Sequence, residues 1–181
     1  MTSPQYWTKP VICIALAGVF AAACAPDASA QRKKEYLSET EADKIREAAF
    51  SGPKIVLFAG FASDRIKKMK YEFAHMDPSD HKRAERLNSL LNGYAGCVDD
   101  AADLVGIGTE KQEDISRGVK VLQERLREFL PYLQELSASG PERETYKDNL
   151  DDAIEATQDA IKTVEDAAKD LAPPPVRRKP S

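Results

Sequence analysis

Glu72 and His75 stand three residues apart, the Glu-x-x-His spacing that sets a carboxylate and an imidazole on one helix face for a shared metal ion. A carboxylate-bridged two-iron site needs that element twice, and the chain carries it once. His81 is the other histidine, and Pro78 occupies the position three before it. At about 100° per residue on a helix, His75 points away from the stripe of Phe58, Met69 and Phe73, which predicts a solvated surface pair. His75, Asp77, Asp80 and His81 fall around one turn, so His75 and His81 are weak candidates for catching a stray zinc ion, as oxygen-and-imidazole loops do. No resident metal or cofactor is expected. The chain has no Cys-x-x-Cys-His for haem, no Gly-rich phosphate loop and no inward carboxylate pair on which an enzyme would draw.

The three cysteines are Cys13, Cys24 and Cys97. Cys97 lies on the flank of an apolar helix face, where a thiol packs as a small apolar group; the alternative is a cross-link between two exported chains. Gly93 and Gly96 interrupt the same helix at a cost of about 1 kcal/mol each relative to Ala. Both lie off the central stripe, where they let another backbone approach, from a short preceding helix or a second subunit. Pro131, inside another helical stripe, removes one backbone hydrogen bond and predicts a bend near Phe129 or Leu130.

Cys24 leads to the question of location. Lys9 precedes an apolar run from Val11 to Ala25, followed by Pro26 and Ala28-Ser29-Ala30. That order is a secretory signal with an A-x-A site, and it predicts cleavage after Ala30. The run is short for a membrane span, which needs about 20 apolar residues. Ala21-Ala22-Ala23 before Cys24 resembles the lipobox of bacterial lipoproteins, with Ala21 where such boxes usually carry Leu. Cys24 is thus the lipidation candidate, and only then does the chain meet a membrane. Either route predicts a periplasmic or extracellular protein.

The whole chain carries 26 Lys+Arg against 30 Asp+Glu. Lys9 and Asp27 are the charged residues of the first thirty, so their removal leaves the net charge at −4. A mildly acidic chain without a basic stripe argues against nucleic acid as a partner. With Cys97 as the one thiol after cleavage at Ala30, stability must come from packing.

Four segments repeat apolar residues at steps of three and four. They run from Pro53 to about Ala74, Lys82 to Val105, Gln112 to Ser137 and Glu142 to Leu171. The third (Ile115, Val119, Leu122, Leu126, Phe129, Leu133, Leu136) and, nearly as regularly, the fourth (Tyr146, Leu150, Ile154 or Ala153, Thr157, Ile161, Val164, Ala168, Leu171) keep a heptad seam. Ser51-Gly52-Pro53 and Ser139-Gly140-Pro141 read as a glycine past one helix and a proline opening the next. Asp80 is the expected N-cap of the second segment. Gly106-Ile107-Gly108 is expected to stop it, with Thr109 and Gln112 as a capping box for the third. Ser38 and Glu41 form another such box ahead of a short helix bearing Ala42, Ile45 and Ala49. The apolar opening Ile55–Phe58 with Phe61 is its natural dock.

These elements predict an all-α fold: an antiparallel up-down-up-down four-helix bundle over 53–172. Ahead of it come a signal over 1–30 and a linker with the short helix over 31–52; a disordered Pro-rich basic tail over 173–181 follows. Arg65, Lys67, Lys68, Lys70, Lys82, Arg83 and Arg86 should share an end, on adjacent helices, with Glu142, Glu144, Asp148, Asp151, Asp152 and Glu155. Mutual neutralisation is the expected role of that charge; contact of the basic end with an acidic partner or membrane surface is the other. The function expected is protein–protein contact by a non-enzymatic exported bundle, an envelope structural, scaffold or chaperone-like component, with a protein partner or a second copy. The alternative is a small-ligand or metal-binding bundle, using the Pro131 bend or the His75–His81 turn.

Overall fold

The computed structural model describes residues 36–77 and 79–171 of the chain. The expected signal, Cys24, the expected cleavage site after Ala30 and the expected tail lie outside the described residues. Five α-helices follow one another: α1 (Glu39–Glu47), α2 (Ser51–Ala74), α3 (Arg83–Glu110), α4 (Ser116–Ser139) and α5 (Lys147–Leu171), with a single 3-10 turn at Arg143–Thr145 before α5. No strand occurs among the described residues. The last four helices build one hydrophobic core.

Helix directions follow from the ends that meet. The starts of α2 and α4 share one end with the close of α3, where the Ser51 amide donates to Glu113 Oε2 at 2.7 Å. The starts of α3 and α5 share the other, where Asn88 Nδ2 donates to the Thr145 carbonyl at 2.8 Å and Asn149 Nδ2 to Asn88 Oδ1 at 2.6 Å. Direction therefore alternates along the chain. Neighbourhood does not follow it. α2 packs on α3 and α4, and α5 packs on α3 and α4, while the consecutive α3 and α4 sit across the diagonal. The expectation that short connections make antiparallel neighbours thus fails for α3–α4, and it leaves two parallel pairs, α2/α4 and α3/α5.

Glycine placement explains the crossing. Gly106-Ile107-Gly108 does not end α3, which runs on to Glu110. Gly108 is buried, and a Cβ there would collide with Ile115 Cγ2. A Cβ on Gly52 would stand 2.7 Å from the Asp114 carbonyl oxygen, and one on Gly118 would stand 2.9 Å from the Gly52 carbonyl. Gly52 and Gly118 let the backbones of α2 and the α4 start converge at one end, and Gly108 makes room there for the Ile115 side chain; punctuation is not their role. Thr109 and Gln112 form no capping box. Thr109 Oγ1 donates to the Val105 carbonyl, Gln112 adopts a left-handed φ of 54°, and α4 starts only at Ser116. Asp114 Oδ1 organises that start by accepting from the Ser116 amide and hydroxyl.

Other boundaries shift for similar local reasons. Asp80 does not cap α3; Lys82 holds the N-cap position, and Asp80 Oδ1 accepts the Lys82 amide in the preceding turn. Gly140 caps α4, but Pro141 opens no helix: Glu142 takes a φ of 55°, and Tyr146 donates its hydroxyl to the Pro141 carbonyl at 2.8 Å. Gly52 sits within the first turn of α2, and Ala48 ends α1.

The α3 and α4 stripes are buried along their length, from Leu87 to Val105 and from Ile115 to Leu136. In α5 the buried face is rotated from the one expected. Leu150, Ala153, Thr157, Ala160, Val164 and Ala167 face the core, while Ile154 and Ile161 pack at its edge. Small residues on that face allow α5 to approach α3 closely. One polar pair is enclosed there: Thr157 Oγ1 donates to the Ala153 carbonyl at 2.6 Å, which leaves the Tyr94 hydroxyl, 2.8 Å away, to donate to Thr157. Burial pushes the Tyr94 phenol up.

The short helix docks as the glycines suggested. Ser38 and Glu41 complete the capping box, the Ser38 amide donating to Glu41 Oε2 at 2.9 Å. The same carboxylate takes both Nη groups of Arg65, Nη2 at 2.7 Å, and Nη2 also donates to the Tyr36 carbonyl. The Tyr36 ring fills the notch at Gly96, where a Cβ would lie 2.7 Å from its Cε1. Arg65 is consequently buried, and it does not belong to the basic turn with which the sequence grouped it. α4 runs unbroken through Pro131, which lies on its exposed side.

Candidate functional site

The residues singled out for chemistry do not converge. Glu72 turns to Arg86, accepting from Nε at 3.1 Å and Nη2 at 2.8 Å, and this pairing lowers its pKa. His75 is exposed, stacked on Tyr71 with ring centroids 4.0 Å apart, and its Nδ1 lies 3.0 Å from the Tyr71 carbonyl. Asp77 accepts from the Ser79 hydroxyl and amide, and Asp80 from Arg86; both carboxyls are held below their usual range by those bonds. His81 is exposed. Among the described residues no three His, Cys, Asp or Glu side chains come together as a metal site. Cys97 is fully buried in the core. None of the described helices is long and apolar enough to cross a membrane.

The basic turn and the start of α5 do share an end, and one ion pair joins them: Arg83 Nη1 to Glu142 Oε2 at 2.7 Å. Only Lys82, Arg83 and Arg86 belong to the neighbouring α3 side. Lys67, Lys68 and Lys70 sit on α2, which lies diagonally across from α5. Asp151 is paired within its own helix, with Lys147 at 3.0 Å. Arg83 is an odd member of this group. Its side chain is 5 % exposed, its Cζ lies 5.5 Å from the Phe73 ring centroid, and its Nε and Nη2 have no hydrogen-bond partner.

The surface that stands out is apolar. At the glycine-lined end, α2 and α4 run parallel and leave a groove of about 470 Å³ lined by Gly52, Pro53, Val56, Leu57, Asp114 and Arg117. Phe50, just before α2, is 63 % exposed. The sequence showed this stretch to be apolar nearly all round and offered α1 as its cover. The cover is partial: Phe61 is buried, while Val56 and Leu57 stay half-buried and form the groove wall. Electrostatics around it are set by backbone donors. The Ser51 amide lowers the Glu113 pKa, and the Ser116 hydroxyl and amide lower that of Asp114, so both are charged at neutral pH.

A smaller cleft of about 260 Å³ lies beside Tyr132, between Lys70, Phe73 and the Gly140–Pro141 turn. Lys70 Nζ stands 4.8 Å over the Tyr132 ring, and the Tyr132 hydroxyl is buried with no hydrogen-bond partner; burial pushes its pKa up to about 12. Neither the groove nor this cleft was located by sequence reasoning. The groove needed the α2/α4 pairing, which crosses the chain order, and the cleft needed the fold of the α4–α5 turn. Asp99 was also missed: its carboxyl is raised by burial first, then by Asp103 and Asp159. Compared with protein-family models, with curated proteins and with solved structures, the chain finds no match.

Proposed function

We propose that this chain is an exported, non-enzymatic helical bundle that works by binding another protein through the α2/α4 groove. The observation that carries the reading is the groove walled by Pro53 and the half-buried Val56 and Leu57, with the exposed Phe50 just before it in the chain. Contiguous apolar surface left in a groove marks contact sites. Export rests on the signal-like order of residues 9–30, with release after Ala30 and lipidation at Cys24 as the competing route. The up-down-up-down topology of the bundle belongs to the same proposal.

A photo-reactive benzophenone residue at Val56, expressed in the host envelope, tests it. The expected result is a discrete cross-linked protein that a probe at Lys162, on the exposed side of α5, does not capture. Equal yields at both positions, or none at Val56, overturn the contact reading. Intact mass of the envelope form decides processing: a chain starting at Gln31 supports release, and a diacylglyceryl-modified Cys24 replaces it with an anchored form. The second reading, a small-ligand bundle, is favoured by the unpartnered Tyr132 hydroxyl in its cleft. On the metal side, calorimetry with zinc should show at most weak binding that His75→Ala or His81→Ala abolishes. Sub-micromolar stoichiometric binding would promote the metal-site alternative.

A further inference from the structure

Phe50 stands just ahead of the α2/α4 groove in the chain and does not fill it. Its backbone is extended and its side chain is exposed. At about 100° per residue, Pro53 and Leu57 follow it on the same side of α2, and both line the groove with Val56. One patch thus presents an uncovered aromatic ring and, beside it, an uncovered apolar wall. A two-fold axis through such a patch brings each ring to the wall of the other copy, and this self-complementarity is what an isologous interface requires. Charge on the patch has the same property. Asp114 and Arg117 both line the groove. Asp114 Oδ1 accepts from the Ser116 amide and hydroxyl, and neither Asp114 nor Arg117 is in an ion pair among the described residues. Lys54 and Lys111 complete the rim, and both act on the Glu113 carboxylate. Three cations against two carboxylates leave each copy a small positive excess, which salt screens over about 8–10 Å.

We propose that the occupant of the groove is Phe50 of a second copy of this chain, in a two-fold dimer in which each ring covers the other's Pro53, Val56 and Leu57. Asp114 of each copy then faces Arg117 of the other. The inference rests on the reading of the groove as a protein-contact site and names the protein. Apolar contact supplies the affinity, and the crossed charges fix the register. Two aromatic rings and the walls they cover amount to less than the ~1,200 Å² at which stable interfaces begin. The dimer is therefore weak and forms at micromolar concentrations and above. By mass action the groove is covered where the chain is concentrated and open where it is dilute.

The test is sedimentation velocity on the chain purified from its host, from submicromolar to submillimolar concentration. A reversible monomer–dimer equilibrium is expected. Phe50→Ala should weaken it by an order of magnitude or more, as loss of a central aromatic anchor does, and Arg117→Glu severalfold. Both side chains are exposed, so neither substitution should alter the melting temperature of the dilute monomer. For mapping, a benzophenone residue replaces Phe50 in an equal mixture of ordinary and heavy-isotope chains. Cross-links of mixed mass to residues 53–57 and 114–117 are expected. A monomer at every concentration, a dimer indifferent to Phe50→Ala, or cross-links confined to one chain or to other residues would overturn the proposal. If the purified chain stays monomeric while the Val56 probe captures a different protein in the envelope, the second copy is wrong and the groove remains a contact site. Capture of nothing at Val56, a second copy included, ends the contact reading itself.

Discussion

The two ends of the bundle are held by different physics. At the α2/α4 start, Gly52 and Gly118 bring backbones into contact and Gly108 seats the Ile115 side chain, so an added Cβ at any of the three meets atoms already there. At the other end, long charged side chains span wider gaps: Arg83 to Glu142, and Arg86 to Glu72 and Asp80. Shape-driven contact is intolerant of added atoms and indifferent to salt. Charge-driven contact tolerates substitution, is screened by salt, and is worth well under about 1 kcal/mol for each exposed pair. The groove opens at the rigid end, where a preformed wall costs a partner little ordering entropy.

A benchmark for both ends is the middle of the bundle. Leu126 is fully buried, and Leu126→Ala should cost about 2–5 kcal/mol, the range for a cavity in a packed core. Denaturant melts measure it. A loss below about 1 kcal/mol would mean the α4 seam does not carry the core, and the comparison of ends would lose its scale.

Next in size is the glycine end. Gly108→Ala places a Cβ against Ile115, which α2 and α4 hold from both sides, so a loss of about 1–3 kcal/mol is expected from overpacking. It should be the same at 50 mM and 500 mM salt. Gly106→Ala is the matched control, because nothing lies within 4 Å of its added Cβ; there the helix should gain stability by roughly 1 kcal/mol. If the two substitutions behaved alike, close approach would not be what this end depends on.

The ion-paired end should respond to a similar extent at most, and unequally between its two partners. Glu142→Ala strips the buried Arg83 of its one acceptor and should cost about 1–3 kcal/mol. Arg83→Met removes the guanidinium along with its two unpartnered nitrogens and keeps contact with Phe73, so it should fall within about 1 kcal/mol of the parent, on either side. That asymmetry between partners is the signature of a buried cation tolerated more than needed. Equal losses in both variants would assign the pair a larger structural role.

How far the sequence alone reached follows the same division. Apolar periodicity located α3 and α4 nearly residue by residue, because each buries one stripe on large side chains from Leu87 to Leu136. It misjudged α5 in part: of the pair left open, Ala153 faces inward and Ile154 does not, Ala160 and Ala167 are buried in place of Ile161 and Ala168, and Leu171 is exposed; hydrophobicity scales favour the larger residue, while close helix approach favours the smaller. It also took Gly108 and Gly52 for stops. A glycine that ends a helix and one that admits a neighbour look the same in one dimension, and only the partner backbone tells them apart. Glu72 and His75 were legible as surface residues, whereas the groove was not legible at all, being made by helices that are not consecutive.

α1 offers a pH test of a third kind of attachment. The Arg65 guanidinium beside Glu41 holds its pKa at about 2, below the ordinary value of 4.5. A depressed carboxylate contributes stability that is complete above its unfolded pKa and is lost as pH falls towards the folded one. The docking of α1 should therefore be constant above about pH 4.5 and weaken on the way down to about 2. Protection of the amides of residues 39–47, taken relative to their intrinsic exchange rates at each pH, should fall over that window ahead of α3 and α4. In Glu41→Gln, exchange there should already be faster at pH 7 and show little further change; an unaltered acid profile in that variant would remove Glu41 as the titrating group.

The smallest effects set the two ends side by side once more. Gln112 and Glu142 both adopt left-handed backbones, at φ of 54° and 55°, a conformation that costs a residue with a Cβ on the order of 1 kcal/mol and costs glycine almost nothing. Gln112 makes no side-chain bond among those found in the α3–α4 turn, so Gln112→Gly should gain most of that energy, less what the more flexible unfolded chain takes back. Glu142→Gly gains the same backbone relief but deprives Arg83 of its carboxylate, and the loss should outweigh the gain. The pair isolates side-chain function at constant backbone geometry. A rise in melting temperature of a degree or more for Gln112→Gly, with a fall for Glu142→Gly, is the expected outcome. A rise in both would show that the Arg83–Glu142 bond adds nothing to stability, and that this end too is held by shape.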